Sequence, residues 1–166
     1  MSVDQEIIKI FKEQNINFAV SLPCKLLDGL IRILYKDDFF IHIPVTREEE
    51  GIGICSGATL TGNLPVLLIQ SSGIGNCVNA FASLALYYNI PILILISHRG
   101  TEGETINAQI PMGIITPKIL DVLGIDYISI EDSKEVGKIR VMIQKAKETE
   151  KPVAVLLPFS FWRERN

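Results

Sequence analysis

The chain has 166 residues, 48% hydrophobic and 21% charged, which fits one globular domain with an ample core. Its formal charge of −3 and pI near 5.4, without a long lysine/arginine cluster, argue against a nucleic-acid binder. The polar start Met1 to Glu6 does not read as a signal peptide, and the longest apolar run, Ile90 to Ile96, is far too short for a membrane span.

In chain order, Ser2 to Asn15 carries apolar Ile7, Ile8, Ile10 and Phe11 behind a Ser2/Gln5 capping box and is predicted as a helix. Phe18 to Leu22 is predicted as a strand and Cys24 to Tyr35 as a helix with Leu26, Leu27, Leu30, Ile31 and Leu34 on its apolar side. The second strand is expected near Phe39 to Ile43 and the third helix over Arg47 to Leu60, with Thr46 and Glu49 in capping-box spacing. Pro65 to Gln70 reads as the third strand, running into the turn Ser71-Ser72-Gly73-Ile74-Gly75-Asn76 and a helix through about Tyr87. Pro91 to Ile96 is the fourth strand. The polar segment Ser97 to Gln109 shows no periodicity. A short helix over Thr116 to Leu123, a strand over Tyr127 to Ile130, a helix over Ser133 to Glu148 and a strand over Val153 to Leu157 complete the series. Six short, continuously apolar strands alternating with helices predict an α/β, doubly wound parallel sheet covered on both faces. Ligands in such sheets sit beyond the carboxyl ends of the strands. Pro23-Cys24-Lys25, Thr46-Arg47-Glu48, Gln70 to Asn76 and His98-Arg99-Gly100 fall there.

The helix from Arg47 has two unusual features. Glu48, Glu49 and Glu50 open it, a placement favoured by exposed backbone N–H groups. Consecutive helical residues point about 100° apart, so at most one of the three faces a common site. Behind them come Gly51, Gly53, Ser56, Gly57 and Ala58, and glycine inside a helix costs roughly 1 kcal/mol each. Such a face predicts the close approach of a neighbouring subunit or a flat ligand. The three cysteines, Cys24, Cys55 and Cys77, lack metal or redox spacing and read as small buried residues in a reducing, cytoplasmic setting. Neither Gly51-Ile52-Gly53 nor Gly73-Ile74-Gly75 continues as Gly-x-Gly-x-x-Gly, which argues against a dinucleotide site. Serine-hydrolase chemistry is weakly supported, with two histidines and no Gly-x-Ser-x-Gly. His98-Arg99 at a strand end has the geometry of an anion contact.

Taken together, Arg47-Glu48 through Gly57, Gln70 to Asn76 and Asn89-Ile90-Pro91-Ile92-Leu93 resemble the pyrimidine-binding domain of thiamine-diphosphate-dependent decarboxylases. In that family a glutamate opens a helix with a glycine nine positions on, which selects Glu48 here through Gly57. Leu22-Pro23-Cys24, His98-Arg99-Gly100 and Thr116-Pro117-Lys118-Ile119-Leu120 are similar to the sulfopyruvate and phosphonopyruvate decarboxylase branch. The resemblance implies that Glu48 hydrogen-bonds the aminopyrimidine N1′ and activates the cofactor, with Gln70, Ser71, Ser72, Gly73 and Asn76 as further cofactor-binding residues. Lys25, Arg47, His98 and Arg99 are the cations expected to meet the substrate's sulfonate or phosphonate. The family's Gly-Asp segment that binds Mg2+ and diphosphate is absent, so no metal ligand is expected here. A free-standing domain of this length resembles the alpha subunits of the sulfopyruvate branch. That implies a beta subunit carrying the diphosphate and Mg2+ site, and a role in coenzyme M biosynthesis. Phosphonopyruvate or another 2-keto acid as substrate, and a non-catalytic subunit that kept the fold, are the alternatives.

Overall fold

A computed structural model describes residues 1–165, with side chains to residue 162. Six parallel strands form one sheet: β1 (Phe18–Ser21), β2 (Ile41–Pro44), β3 (Val66–Gln70), β4 (Leu93–His98), β5 (Asp126–Ser129) and β6 (Val153–Pro158). Their spatial order is β2-β1-β3-β4-β6-β5, the doubly wound arrangement expected from the sequence. The chain leaves β1 toward one edge and returns on the other side of β1 to form β3. Register runs Ala19↔Val66 across that junction and Val66↔Leu93, Leu93↔Val153 through the centre.

Continuous apolar strands follow from having both faces covered. On one face Ala19, Val66, Leu68, Leu93, Leu95, Val153 and Val155 pack under α1 (Val3–Glu13), α2 (Asp28–Lys36) and α6 (Ile139–Thr149). On the other, Val20, Leu67, Ile69, Ile94, Ile96 and Leu156 pack under α3 (Glu48–Leu60), α4 (Ile74–Ala80) and α5 (Ile110–Leu123). Alternate residues of one strand thus enter different cores, as the pleat requires. Edge strands β2 and β5 carry exposed or half-buried residues instead.

The observed elements differ from expectation in informative places. The Ser2/Gln5 capping box of α1 is present on both sides. α2 begins at Asp28, after a turn over Cys24 to Leu27, so Cys24 and Lys25 stand before the helix at the mouth of β1. α5 begins at Ile110, six residues before the expected Thr116, and runs through Pro117. Proline there hides the first half of the helix from a periodicity reading. Cys55 and Cys77 are buried in the α3/α4 core, and burial pushes the Cys77 thiol up to about 12 and Cys55 higher still. Cys24 departs from the expectation for all three cysteines: it is half-buried and hydrogen-bonded. Among the described residues no helix is long and apolar enough to cross a membrane.

Candidate functional site

The strand order reverses between β1 and β3, and beyond their carboxyl ends, where ligands of such sheets sit, α3 and the Ser71–Gly73 turn converge. Here the three glutamates separate as the helical geometry requires. Glu50 turns back and accepts from the Thr46 hydroxyl (3.1 Å) and the Arg47 N–H (3.2 Å). The carboxylate that caps α3 is therefore Glu50, not Glu49, because the helix starts one residue later than the Thr46 pattern implied, and Arg47 offers only its backbone N–H to the cap. Glu49 pairs with Arg47 at the exposed rim.

Glu48 alone points across to the neighbouring helix. Its Oε2 accepts from the Asn76 amide at 3.3 Å, and its carboxylate lies against Gly73 so closely that a Cβ there would overlap it. Among the described residues no cation pairs with Glu48, so Oε1 retains acceptor capacity. The site thus contains a half-buried carboxylate, an amide that orients it, and a glycine that makes room for it.

The small-residue face divides. Gly51 faces the sheet, where a Cβ would meet Leu67 Cδ1 at 2.6 Å. Gly53 and Gly57 face outward on an exposed strip with nothing within 4 Å. The first is explained by packing within the chain. The other two leave α3 bare beside Glu48.

Gln70, Ser71 and Ser72 end β3 and open the turn beside Glu48. Gln70 Nε2 donates to Ser72 Oγ (2.6 Å) and to Gln109 Oε1 (3.1 Å), while its carbonyl oxygen accepts from Cys24 Sγ (3.6 Å). Cys24 Sγ also meets the buried Ser97 Oγ at 3.1 Å. Ser71 Oγ accepts from the Arg99 N–H, and its carbonyl accepts from Thr116, tying the turn to β4 and α5.

The four cations proposed for an anion are dispersed. His98 is buried, and its Nε2 donates to the Gly113 carbonyl at 2.8 Å. Arg99, 7% exposed, is held in two hydrogen bonds by Glu104 (2.6 and 2.7 Å), whose carboxyl this partner draws down to about 2. Both side chains are committed to the fold. Lys25 is exposed and lines a cavity of about 490 Å³ with Ser2 and Asp28, on the α1/α2 layer away from Glu48. Arg47 alone combines exposure with a place beside Glu48. Gln109 and Glu104 have no counterpart among the residues selected from the sequence. A signal for Glu104 existed: an arginine at the end of a fully apolar strand needs a nearby carboxylate.

No family model matches the chain. Among curated proteins, the sulfopyruvate decarboxylase subunit alpha of Methanococcus maripaludis is 45% identical across 98% of both chains. The corresponding subunit of Methanothermobacter thermautotrophicus is 44% identical, covering 91% of this chain and 92% of that one. Among solved structures, an enzyme assigned to the thiamin diphosphate-dependent class, from Mycobacterium smegmatis, shares the fold with a TM-score of 0.72 at 14% identity, over 95% of this chain and 30% of that one. Identity of this level over nearly the whole of both sequences decides the family: the chain belongs to the alpha subunits of sulfopyruvate decarboxylase.

Proposed function

We propose that the chain is the alpha subunit of a two-chain, thiamine-diphosphate-dependent carboxy-lyase that converts 3-sulfopyruvate to sulfoacetaldehyde and CO2. The carrying observation is Glu48, a carboxylate paired with no cation among the described residues and oriented by Asn76 over Gly73 at the sheet's switch point. A carboxylate in this setting suits a ring nitrogen that gains or shares a proton, which is what an aminopyrimidine offers. The glycine cradle fits a flat group, since any side chain at Gly73 would displace the carboxylate. Thiamine diphosphate supplies the electron sink that breaking the bond to a 2-keto acid's carboxylate requires.

The chain's own residues account for half of that task. Glu48 holds and polarises the pyrimidine, Asn76 keeps the carboxylate aimed, and the Gln70–Gly73 turn with Ser71 and Ser72 forms the adjoining wall. Among the described residues no group of three or more metal-ligating side chains occurs. We assign Mg2+ and the diphosphate to a beta subunit, as the resemblance implies, and the bare Gly53/Gly57 strip of α3 would admit that subunit closely. Arg47 is the candidate for the sulfonate, because His98 and Arg99 are engaged in the fold and Lys25 lies on the other layer. The 44–45% identity to sulfopyruvate-named subunits favours this substrate over phosphonopyruvate, and coenzyme M biosynthesis is the setting that the resemblance implies.

The test is to combine this chain with its diphosphate-binding partner, thiamine diphosphate and Mg2+, and follow CO2 from sulfopyruvate, phosphonopyruvate and pyruvate. Release that needs both chains and prefers sulfopyruvate is expected. A well-formed complex that releases CO2 from none of them would overturn the reading.

A further inference from the structure

Residues 99–109 connect β4 to α5 with little regular structure, yet one carboxylate fixes their path. Glu104, whose side chain is 1% exposed, accepts two hydrogen bonds from the Arg99 guanidinium. It accepts three more from the backbone N–H groups of Gly100, Thr105 and Ile106, at 3.1, 3.0 and 3.0 Å. Five donors saturate its lone pairs. Gly100, at φ 75°, packs on the Gln109 carbonyl with no room for a Cβ, which closes the loop on itself.

That closure delivers Gln109 to the end of β3. Its side-chain oxygen takes one N–H of Gln70 and Ser72 takes the other, so both amide protons of Gln70 are committed. The amide orientation is thereby set, and the Gln70 carbonyl oxygen faces Cys24. Without the Gln109 acceptor one of the two Gln70 N–H groups loses its partner.

We infer that Gln109 is a positioning residue for Gln70 and the Ser71–Asn76 turn, and that Glu104 acts through the loop to hold Gln109 there. The inference rests on the thiamine diphosphate reading only in naming what this turn faces. The 99–109 segment is then a wall of the active site rather than a connection.

The test uses the full chain. Gln109→Leu removes the acceptor at similar volume, and Gln109→Glu keeps an oxygen at the same reach. In the complex with the partner, Gln109→Leu should weaken thiamine diphosphate binding about tenfold in a calorimetric titration, as expected for one lost hydrogen bond. Gln109→Glu should recover most of this, and the cofactor-free melting point of Gln109→Leu should stay within about 3 °C of wild type. Unchanged affinity, or equal losses in both variants with a lower melting point, would reduce Gln109 to a structural residue. A second readout needs no cofactor: Cys24 is half-buried at the edge of the core while Cys55 and Cys77 are buried, and its alkylation in the free chain should quicken severalfold in Gln109→Leu as the Gln70 carbonyl is released. An unchanged rate would overturn the relay. A faster rate in a protein whose wild-type complex binds no thiamine diphosphate would uphold the relay and reject the functional reading.

Discussion

His98 stands in for the backbone N–H that Pro117 lacks. Inside α5 the Gly113 carbonyl would normally accept from residue 117, but proline has no donor. His98, at the end of β4, reaches over and donates to that carbonyl at 2.8 Å, in the buried layer between sheet and helix. The histidine that the sequence offered as an anion contact thus satisfies a helix interrupted by proline. Because a carbonyl only accepts, the interaction also fixes the tautomer with the proton on Nε2. His98→Phe should cost about 1–3 kcal/mol by leaving the carbonyl unpaired. Adding Pro117→Ala, which restores the helical donor, should return much of that loss. Denaturant unfolding of both single variants and the double closes the cycle; additivity within about 0.5 kcal/mol would mean the two residues are not coupled.

Three adjacent glutamates with three different partners make separable predictions. Glu48→Gln keeps the shape and the Asn76 neighbour but loses the charge, and should lower turnover of the assembled enzyme by on the order of 100-fold or more. Size-exclusion chromatography should show the subunits still associated. Glu49→Gln and Glu50→Gln should retain turnover within about threefold, and Glu50→Gln should destabilise the chain by about 0.5–1 kcal/mol through the α3 cap. Turnover that survives in Glu48→Gln and fails in Glu49→Gln would move the role.

Much of this was legible because each level of the sequence agreed with the next. Six apolar runs, each bounded by turn residues, predicted six strands, and their lack of alternation predicted the two-sided burial that the Ala19/Val20 and Leu67/Leu68 split displays. The choice of Glu48 came from its resemblance spacing to Gly57. The structure adds the reason that Gly73 is needed opposite it. What the sequence concealed were contacts made across long separations. Glu104 and Gln109 lie in a segment without periodicity, and a loop held by one buried carboxylate leaves no repeating pattern. The first half of α5 was hidden by Pro117, whose cost is met by His98, 19 residues earlier in the sequence and so beyond any local reading. The capping assignment slipped by one residue because Thr46 and Arg47 both present N–H groups to the same Glu50 oxygen.

Gly73 should tolerate no side chain without loss of function. A Cβ there meets the Glu48 carboxylate, the far end of a flexible side chain, so the protein can relieve the overlap by swinging Glu48 aside. Gly73→Ala should therefore cost only about 1–3 kcal/mol of stability while lowering turnover at least about tenfold. Gly53→Ala provides the comparison, since its Cβ would meet nothing in this chain. A stable Gly73→Ala complex with wild-type turnover would show that the carboxylate need not lie where it does.

The Arg99–Glu104 pair should make the fold acid-sensitive in a defined direction. Hydrogen bonds from Arg99 are the leading cause that holds the Glu104 carboxyl near 2, against an ordinary value of 4.5. On acidification the unfolded chain therefore protonates this group first. The stability it contributes is complete above about pH 4.5 and is lost as pH falls toward about 2. Glu104→Gln removes the charge and leaves a buried guanidinium unpaired, so at neutral pH it should cost about 3–5 kcal/mol. Its deficit relative to wild type should shrink below pH 4.5, because wild type forfeits the same interaction there. Urea unfolding of both proteins at about pH 7, 5, 4 and 3 measures this directly. A deficit that stays constant down to about pH 3 would mean that Glu104 does not hold the loop as an ionised carboxylate.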